Sequence, residues 1–338
     1  VKYSLIDWLG YPHAFYDAYD EGARRIFWRQ LYERLATIGM DAWWMDASEP
    51  NVRDCTDMDY RKLLCGPTKY GSSDEFFNAY SIVNAEAIYD GQRAYETAVE
   101  QNAIDPADSH KLDAVAVWNQ DGHSNKFSPE NKRVFLLTRN GFASEQRYST
   151  ATWSGDIGTR WEDLKAQITA GLNFSISGVP YWSQDIGGFS VERRYQEAQQ
   201  WFDKTGKTNS DLLEWRELNV RWHQMGMWAP MYRSHGQFPY REPWNISPEG
   251  TLAYRVIQSC LELRYRLMPY IIEESRHATE SGWPVIQALL MHHPDDRTCW
   301  NISDEYYFGR KMLVAPVMSS DDKRDIYLPE GEWVNFFT

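Results

Sequence analysis

Apolar positions along this chain recur with two periods. Met40-Asp41-Ala42-Trp43-Trp44-Met45 is apolar and aromatic apart from Asp41, which predicts a short buried strand of a parallel sheet. Ahead of it, Ile26, Phe27, Leu31, Leu35 and Ile38 recur at three- and four-residue spacing, with Asp20 placed to cap and Gly39 to stop. A helix is predicted there, over 21–37. Residues 1–9 (VKYSLIDWL) read as a strand before it, closed by Gly10 and Pro12. Strand, helix, strand is a βαβ unit, whose strands are parallel and whose crossover is right-handed.

The alternation continues. Residues 51–73 read as a polar loop insertion, and 74–99 as a long helix carrying Phe76, Phe77, Tyr80, Val83, Ala87 and Tyr95. A short strand at 114–118 precedes a polar excursion at 120–131. Strands are then predicted at 133–138, 173–182, 227–232 and 285–291, and helices at 161–171, 210–225 and 248–281, the last kinked by Pro269. Residues 141–158 read as a long aromatic loop. Strand–helix alternation with polar residues at the strand ends is the pattern of a (β/α) barrel or a doubly wound sheet. No GxGxxG or GxxxxGK turn follows any strand, which counts against a nucleotide fold. From Phe308 the character changes to short strands, at 312–317, 325–328 and 333–337, joined by Pro/Gly turns. The expected division is a catalytic barrel over 1–307 and the start of a small antiparallel β domain over 308–338. Val1 opens on a strand-like segment without an initiator methionine, so the chain reads as a piece of something longer.

Composition narrows the partners. A net charge of −13 over 338 residues argues against nucleic acid or an anionic membrane surface and leaves a neutral substrate open. Aromatics reach 15 %, with 16 Trp and 21 Tyr, and aromatic faces stack on sugar rings as well as packing cores. Cys55, Cys65, Cys260 and Cys299 match no zinc or redox spacing and read as free and buried. The His292-His293 pair lacks a third ligand nearby and reads as packing.

Two carboxylates stand out, Asp46 where the first apolar strand stops and Asp156 in the aromatic loop. Barrel enzymes place catalytic groups at such strand ends. Glycoside cleavage needs one ionised carboxylate to attack the anomeric carbon and one protonated carboxyl to release the leaving group. With 48 acidic residues in the chain, two well-placed ones do not carry the assignment alone.

The wording of the motifs carries more. Trp43-Trp44-Met45-Asp46-Ala47-Ser48-Glu49-Pro50 closely resembles the W-x-D-x-x-E-P nucleophile signature of glycoside hydrolase family 31. In the family's order there follow Leu137-Thr138-Arg139, Phe142-Ala143, Arg147-Tyr148 and Trp153-Ser154-Gly155-Asp156. Next come Val179-Pro180-Tyr181 through Asp185-Ile186-Gly187-Gly188-Phe189, and Gln224-Met225-Gly226 through Arg233-Ser234-His235. Trp8-Leu9-Gly10 is similar to the family's tryptophan loop. The resemblance spans essentially the whole chain. It implies a (β/α)8 barrel, present here without its N-terminal strands, in which Asp46 is the nucleophile and Asp156 the general acid/base. Arg139, Asp185 and His235 would bind sugar hydroxyls, while Trp8, Trp44, Trp153 and Phe189 would shape the pocket. The implied mechanism is double displacement on an oligosaccharide, with retention, no metal and no cofactor. The family's β-sandwich before the barrel, its first strands and a pocket aspartate upstream of Trp8 are not in this sequence.

Within the family, the wording WMDASEP and the LLTR…WSGD segment point to an α-xylosidase acting on xyloglucan-type oligosaccharides, with α-glucosidase or transglucosylase as the alternative. A non-catalytic carbohydrate-binding relative would have lost one of the two carboxylates, and both are present. Taken singly, Arg139 could be an ion-pair partner of a core carboxylate, His235 a satisfied loop histidine and Asp185 a turn residue between strand and glycines. Glu49 reads as holding the loop by accepting backbone N–H groups.

Overall fold

The computed structural model describes residues 5–6, 9–36, 40, 42–51, 57–100 and 133–338, and their side chains except Leu5 and 95–100. Trp8, Cys55, the strand read at 114–118 and the excursion at 120–131 lie outside the described residues. The chain divides into two compact units, 1–152 and 153–338.

In the first unit the short strands β1 (Leu5–Ile6) and β2 (Pro12–His13) form an antiparallel hairpin. That differs from the expected opening strand of a parallel βαβ unit. Asp20 caps α1 (Glu21–Arg34) as predicted, its carboxylate accepting the Ala23 N–H at 2.9 Å. The next strand, β3, spans Trp43–Met45. The stretch read as a loop insertion holds a helix, α2 (Met58–Cys65), capped by Asp57. Two helices follow, α3 (Ser73–Phe76) and α4 (Tyr80–Glu100), and then β4 (Leu136–Thr138) and β5 (Thr150–Trp153). Strands β3, β4 and β5 run parallel, Trp43 opposite Leu136 and Leu136 opposite Thr150. β5 falls inside the segment read as an aromatic loop.

One face of this sheet is covered by helices. Trp28 and Tyr32 of α1 and Ala85 and Ile88 of α4 pack on Trp43, Met45 and Leu136. Trp28 meets Trp43 edge-on at 5.6 Å between ring centroids, and the Trp43 indole N–H donates to Gln92 Oε1 at 2.8 Å. A large ring at Trp28 leaves no room for a side chain on α4 opposite it: a Cβ on Gly91 would lie 2.4 Å from the Trp28 ring.

The second unit opens with α5 (Trp161–Ile176) and a two-residue strand, β6 (Trp182–Ser183). The strand expected over 173–182 is therefore mostly helix. Leu172 stays buried on the face that carries Leu164 and Ile168, and the turn comes only at Gly178, where φ is +87°. Helices α6 (Arg193–Thr205), α7 (Ser210–Gly226), α8 (Pro243–Ile246), α9 (Leu252–Arg266) and α10 (Met268–Ser281) follow. The break between α9 and α10 falls at Leu267, beside Pro269, where a kink was expected.

Residues 227–232 are turn and bend rather than a strand. The carbonyls of Met227, Ala229 and Pro230 instead accept from the Arg264 guanidinium at 2.6–2.9 Å. β7 (Ile286–Ala288) runs into the single-turn helix α11 (Leu289–His292) and pairs antiparallel with β8 (Tyr306–Phe308), which pairs antiparallel with β9 (Met312–Val314). The segments at 325–328 and 333–337 form no regular strand. His292 and His293 pack on Tyr307, with His293 Nε2 2.8 Å from its hydroxyl. No helix among the described residues is long and apolar enough to cross a membrane.

Gly91→Ala should weaken the first unit by about 1–3 kcal/mol through overpacking against Trp28, more than the ~1 kcal/mol that alanine adds to helix propensity. Chemical denaturation measures it; an unchanged or raised midpoint would mean that Trp28 yields freely.

Candidate active site

The first unit presents Asp46. Side chains alternate along β3, so Trp43 and Met45 are buried beneath the helices, while Trp44 and Asp46 fall on the other face. There Trp44 is 54 % exposed and the Asp46 side chain 43 % exposed. Immediately after the strand the chain turns. Ala47 adopts φ +55°, its N–H donates to Asp46 Oδ1 at 2.8 Å, and its carbonyl accepts the Asn51 N–H at 2.9 Å.

Arg139 leaves the end of the neighbouring β4 and lies between two carboxylates. Its Nε is 2.8 Å from Glu49 Oε1 and 3.3 Å from Asp46 Oδ1. Glu49 therefore binds the arginine instead of the backbone N–H groups expected of it. Both of these Asp46 contacts, from Arg139 and from the Ala47 N–H, fall on Oδ1.

The second unit presents Asp156. Trp153 is buried, Gly155 turns the chain at φ +76°, and Asp156 is exposed beyond it. The loop 155–159 is seated on 187–190: Thr159 N–H donates to Ser190 O and Thr159 Oγ1 to Gly187 O, both at 3.0 Å. The Ser190 hydroxyl donates to Asp156 O at 3.3 Å. The fit is tight enough that Gly188, at φ +75°, has no room for a side chain, since a Cβ there would lie 2.6 Å from Gly158 O.

Asp185 is fully buried and accepts from Arg233, whose guanidinium also lies 5.5 Å from the Trp153 ring. Its second oxygen, Oδ2, has no hydrogen-bond partner among the described residues. Burial pushes the Asp185 carboxyl up to about 7, against the pull of Arg233 and with a smaller push from the Asp156 charge. Phe189 and His235 stack at 5.6 Å.

Arg241 is 5 % exposed and clamps this loop cluster, its Nη1 donating to the carbonyls of Gln237 and Pro239 and its Nη2 to that of Gly188 at 2.6 Å. Burial lowers its pKa to about 10. His223, which meets the Tyr232 hydroxyl, is held neutral by burial, its pKa lowered to about 3.

Among the sequence candidates, the structure joins Asp46 to Arg139, sets Trp44 on the Asp46 face, and stacks Phe189 on His235. It joins Asp185 and Trp153 through Arg233, which sequence reasoning had not singled out. Arg241 was missed as well; a lone arginine after Pro239 gives no sign that it will be buried.

The connection from β4 to β5 holds a buried carboxyl of its own. Glu145 is 1 % exposed, and its Oε2 accepts the Phe142 N–H at 2.8 Å. Burial raises its pKa from 4.5 to about 7.

A sheet of parallel strands whose ends carry carboxylates and a paired arginine is the arrangement in which (β/α) barrel enzymes present their functional groups. Residues 2–274 match the glycosyl hydrolases family 31 TIM-barrel domain, and residues 282–338 match the glycosyl hydrolase family 31 C-terminal domain. The chain belongs to glycosyl hydrolase family 31.

It is 31 % identical to an alpha-xylosidase of Saccharolobus solfataricus, over 96 % of this chain and 37 % of that protein. It is 29 % identical to alpha-glucosidase 2 of Bacillus thermoamyloliquefaciens, over 98 % of this chain and 35 % of that one. The crystal structure of a family 31 alpha-xylosidase from Xanthomonas citri superposes with a TM-score of 0.79 at 40 % identity, covering 96 % of this chain and 31 % of that one. A Flavobacterium johnsoniae family 31 dextranase gives 0.76 at 26 % identity, covering 99 % and 35 %. The chain thus spans about a third of the length of these relatives.

The titration of Glu145 sets a stability test. Its folded pKa lies above the unfolded one, so the fold holds a proton that the unfolded chain releases. This contribution is complete below pH 4.5 and is lost as pH rises through about 7. Glu145→Gln should remove that slope, worth up to about 3 kcal/mol for the shift. Thermal unfolding of both forms between pH 4 and 8 measures it, and parallel curves would refute the buried-carboxyl account.

Proposed function

We propose that the full-length protein is a retaining, exo-acting α-glycoside hydrolase, an α-xylosidase that releases α-linked xylose from xyloglucan-type oligosaccharides. The observation that carries this reading is the end of β3. Asp46 is exposed there, with Oδ1 engaged by Arg139 and the Ala47 N–H. A nucleophile needs this kind of arrangement: a carboxylate that is reachable from solvent and is held in place by its neighbours.

In the proposed reaction, Asp46 Oδ2 attacks the anomeric carbon as Asp156 gives its proton to the leaving oxygen. The resulting glycosyl–Asp46 ester is then hydrolysed by water that Asp156 deprotonates. Trp8, Trp44, Trp153 and Phe189 would line the sugar pocket, and Arg139, Asp185 and His235 would bind its hydroxyls. Asp185 would do so as the buried carboxyl whose Oδ2 lacks a hydrogen-bond partner among the described residues. Rejecting glucose requires a wall against its extra CH₂OH. The similarity to alpha-xylosidases by both sequence and structure supports xylose. The similarity to alpha-glucosidase 2 at nearly the same identity supports α-glucosidase or transglucosylase as the second reading.

Aryl α-xyloside and aryl α-glucoside separate these readings: the full-length enzyme should prefer the xyloside at least about tenfold in kcat/KM, of the order that one excluded methylene group allows. A glucoside preference would replace the first reading with the second.

Asp46→Ala should abolish turnover of every substrate. Asp156→Ala should lose activity on oligosaccharides by about 10²–10⁴-fold, yet much less on glycosyl fluorides, whose leaving group needs little acid. Azide should partly rescue it and give an α-configured glycosyl azide. Equal losses on fluoride and oligosaccharide, with no azide product, would show that the acid/base is another residue.

A further inference from the structure

We propose that Ser48, Thr138 and Asn140 are positioning residues that hold the nucleophile's turn in its strained conformation. The three side chains close a small ring at the ends of β3 and β4, two sides of it hydrogen bonds made by the Asn140 amide and the third an oxygen–oxygen contact. The Thr138 hydroxyl donates to Asn140 Oδ1 at 2.8 Å, and Asn140 Nδ2 donates to Ser48 Oγ at 3.1 Å. Ser48 Oγ lies 3.2 Å from Thr138 Oγ1 and gives its own proton to the Met45 carbonyl at 2.9 Å. A third strand is tied in through Asn140 O, which accepts the Thr152 hydroxyl at 2.9 Å. Ser48, Thr138 and Thr152 are buried and Asn140 is half-buried, so the Ser48 bond to Met45 is made away from competing water and those of Asn140 are partly shielded from it.

What the ring holds is the residue between the nucleophile and Ser48. Ala47 sits at φ +55°, a left-handed conformation that a residue with a Cβ adopts only when its surroundings impose it. That conformation directs the Ala47 N–H to Asp46 Oδ1. With Ser48 fixed on one side and β3 on the other, the turn cannot relax and Asp46 cannot rotate away. The serine and asparagine therefore act through the backbone of Ala47, and neither needs to touch the sugar. This inference rests on the assignment of Asp46 as the nucleophile.

The test uses the full-length enzyme and four forms: wild type, Asn140→Ala, Ala47→Gly and Asn140→Ala/Ala47→Gly. Glycine adopts φ +55° without strain, so a glycine turn no longer needs the ring. Two readouts are taken, kcat and KM on an aryl α-xyloside, and the rate at which an activated fluoro-xylosyl fluoride labels Asp46, with the labelled peptide identified by mass spectrometry.

Asn140→Ala should lower kcat and the labelling rate together by about 10–100-fold, the scale of a slightly misplaced reacting group. KM should move less than about threefold. The double variant should recover at least about fivefold over Asn140→Ala, because the ring's task has been removed. Should Asn140→Ala fail to fold, Thr138→Val removes the donor to Asn140 at nearly constant shape and takes its place in the same cycle. A loss of less than about twofold, or no recovery in the double variant, would overturn the inference. Wild-type labelling on a residue other than Asp46 would instead overturn the nucleophile assignment, and the ring's role with it.

Discussion

The first unit depends on how the chain leaves β3. A buried strand must end, turn, and present a carboxylate to solvent without stranding the polar groups around it. Arg139 resolves the charge problem. Its side chain is only 11 % exposed, and a guanidinium taken that far from water is costly unless paired. Glu49 supplies a close partner at 2.8 Å, and Asp46 takes the longer contact at 3.3 Å. The planar, permanently charged donor set of arginine suits two carboxylates at once, where a lysine ammonium would favour one. Glu49 is thus the anchor that keeps Arg139 in place beside Asp46.

The second unit uses arginine for a different purpose. Arg241 and Arg264 are both buried, both give their protons to backbone carbonyls, and both have their pKa lowered to about 10 by burial. Their partners are carbonyls of irregular chain, at 227–230 and 187–188 and 237–239. Buried backbone without a ladder must find other partners, and a guanidinium with five N–H groups satisfies several carbonyls from one side chain. The glycines at 187, 188 and 236 belong to the same solution, because a Cβ at any of them would meet Arg241 or the 158–159 backbone at less than 3 Å.

This is also where sequence reading reached its limit. The strand at 43–45, the cap at Asp20 and the break near Pro269 were legible because each rests on local chemistry: an apolar run, a capping carboxylate, a missing N–H. β5 was not. Thr150-Ala151-Thr152-Trp153 carries no aliphatic run, and it is a strand because Thr150 and Ala151 pair with Leu136 and Leu137. Residues 227–232 had the apolar content of a strand, but Arg264, more than thirty residues on, takes the carbonyls that a ladder would use. Asp46 and Asp156 were singled out through their motifs. The ring of Ser48, Thr138 and Asn140 was not, since three small polar residues spread over two strands have no signature until the register between β3 and β4 sets them side by side.

The two units also meet backbone strain in opposite ways. In the second, every described residue with positive φ is a glycine, and at Gly187, Gly188 and Gly309 close neighbours explain why: no side chain would fit. In the first, Ala47, Ser144 and Ser149 take positive φ although they carry a Cβ. Each of these is over-determined by bonds made around it. The Ser144 and Ser149 carbonyls accept the Arg147 and Leu136 N–H groups, and Ser149 N–H donates to Gln146 O, which fastens the turn to the first residue of β4. Ala47 is bonded through both its N–H and its carbonyl. A glycine would reach these angles without help from the bonds around it. A residue with a Cβ, held from both sides, has fewer alternatives once its neighbours are fixed, so the carboxylate beside it has fewer as well. Strain at Ala47 is then the cost of a rigid Asp46, and it is met by hydrogen bonds that the sheet's register provides.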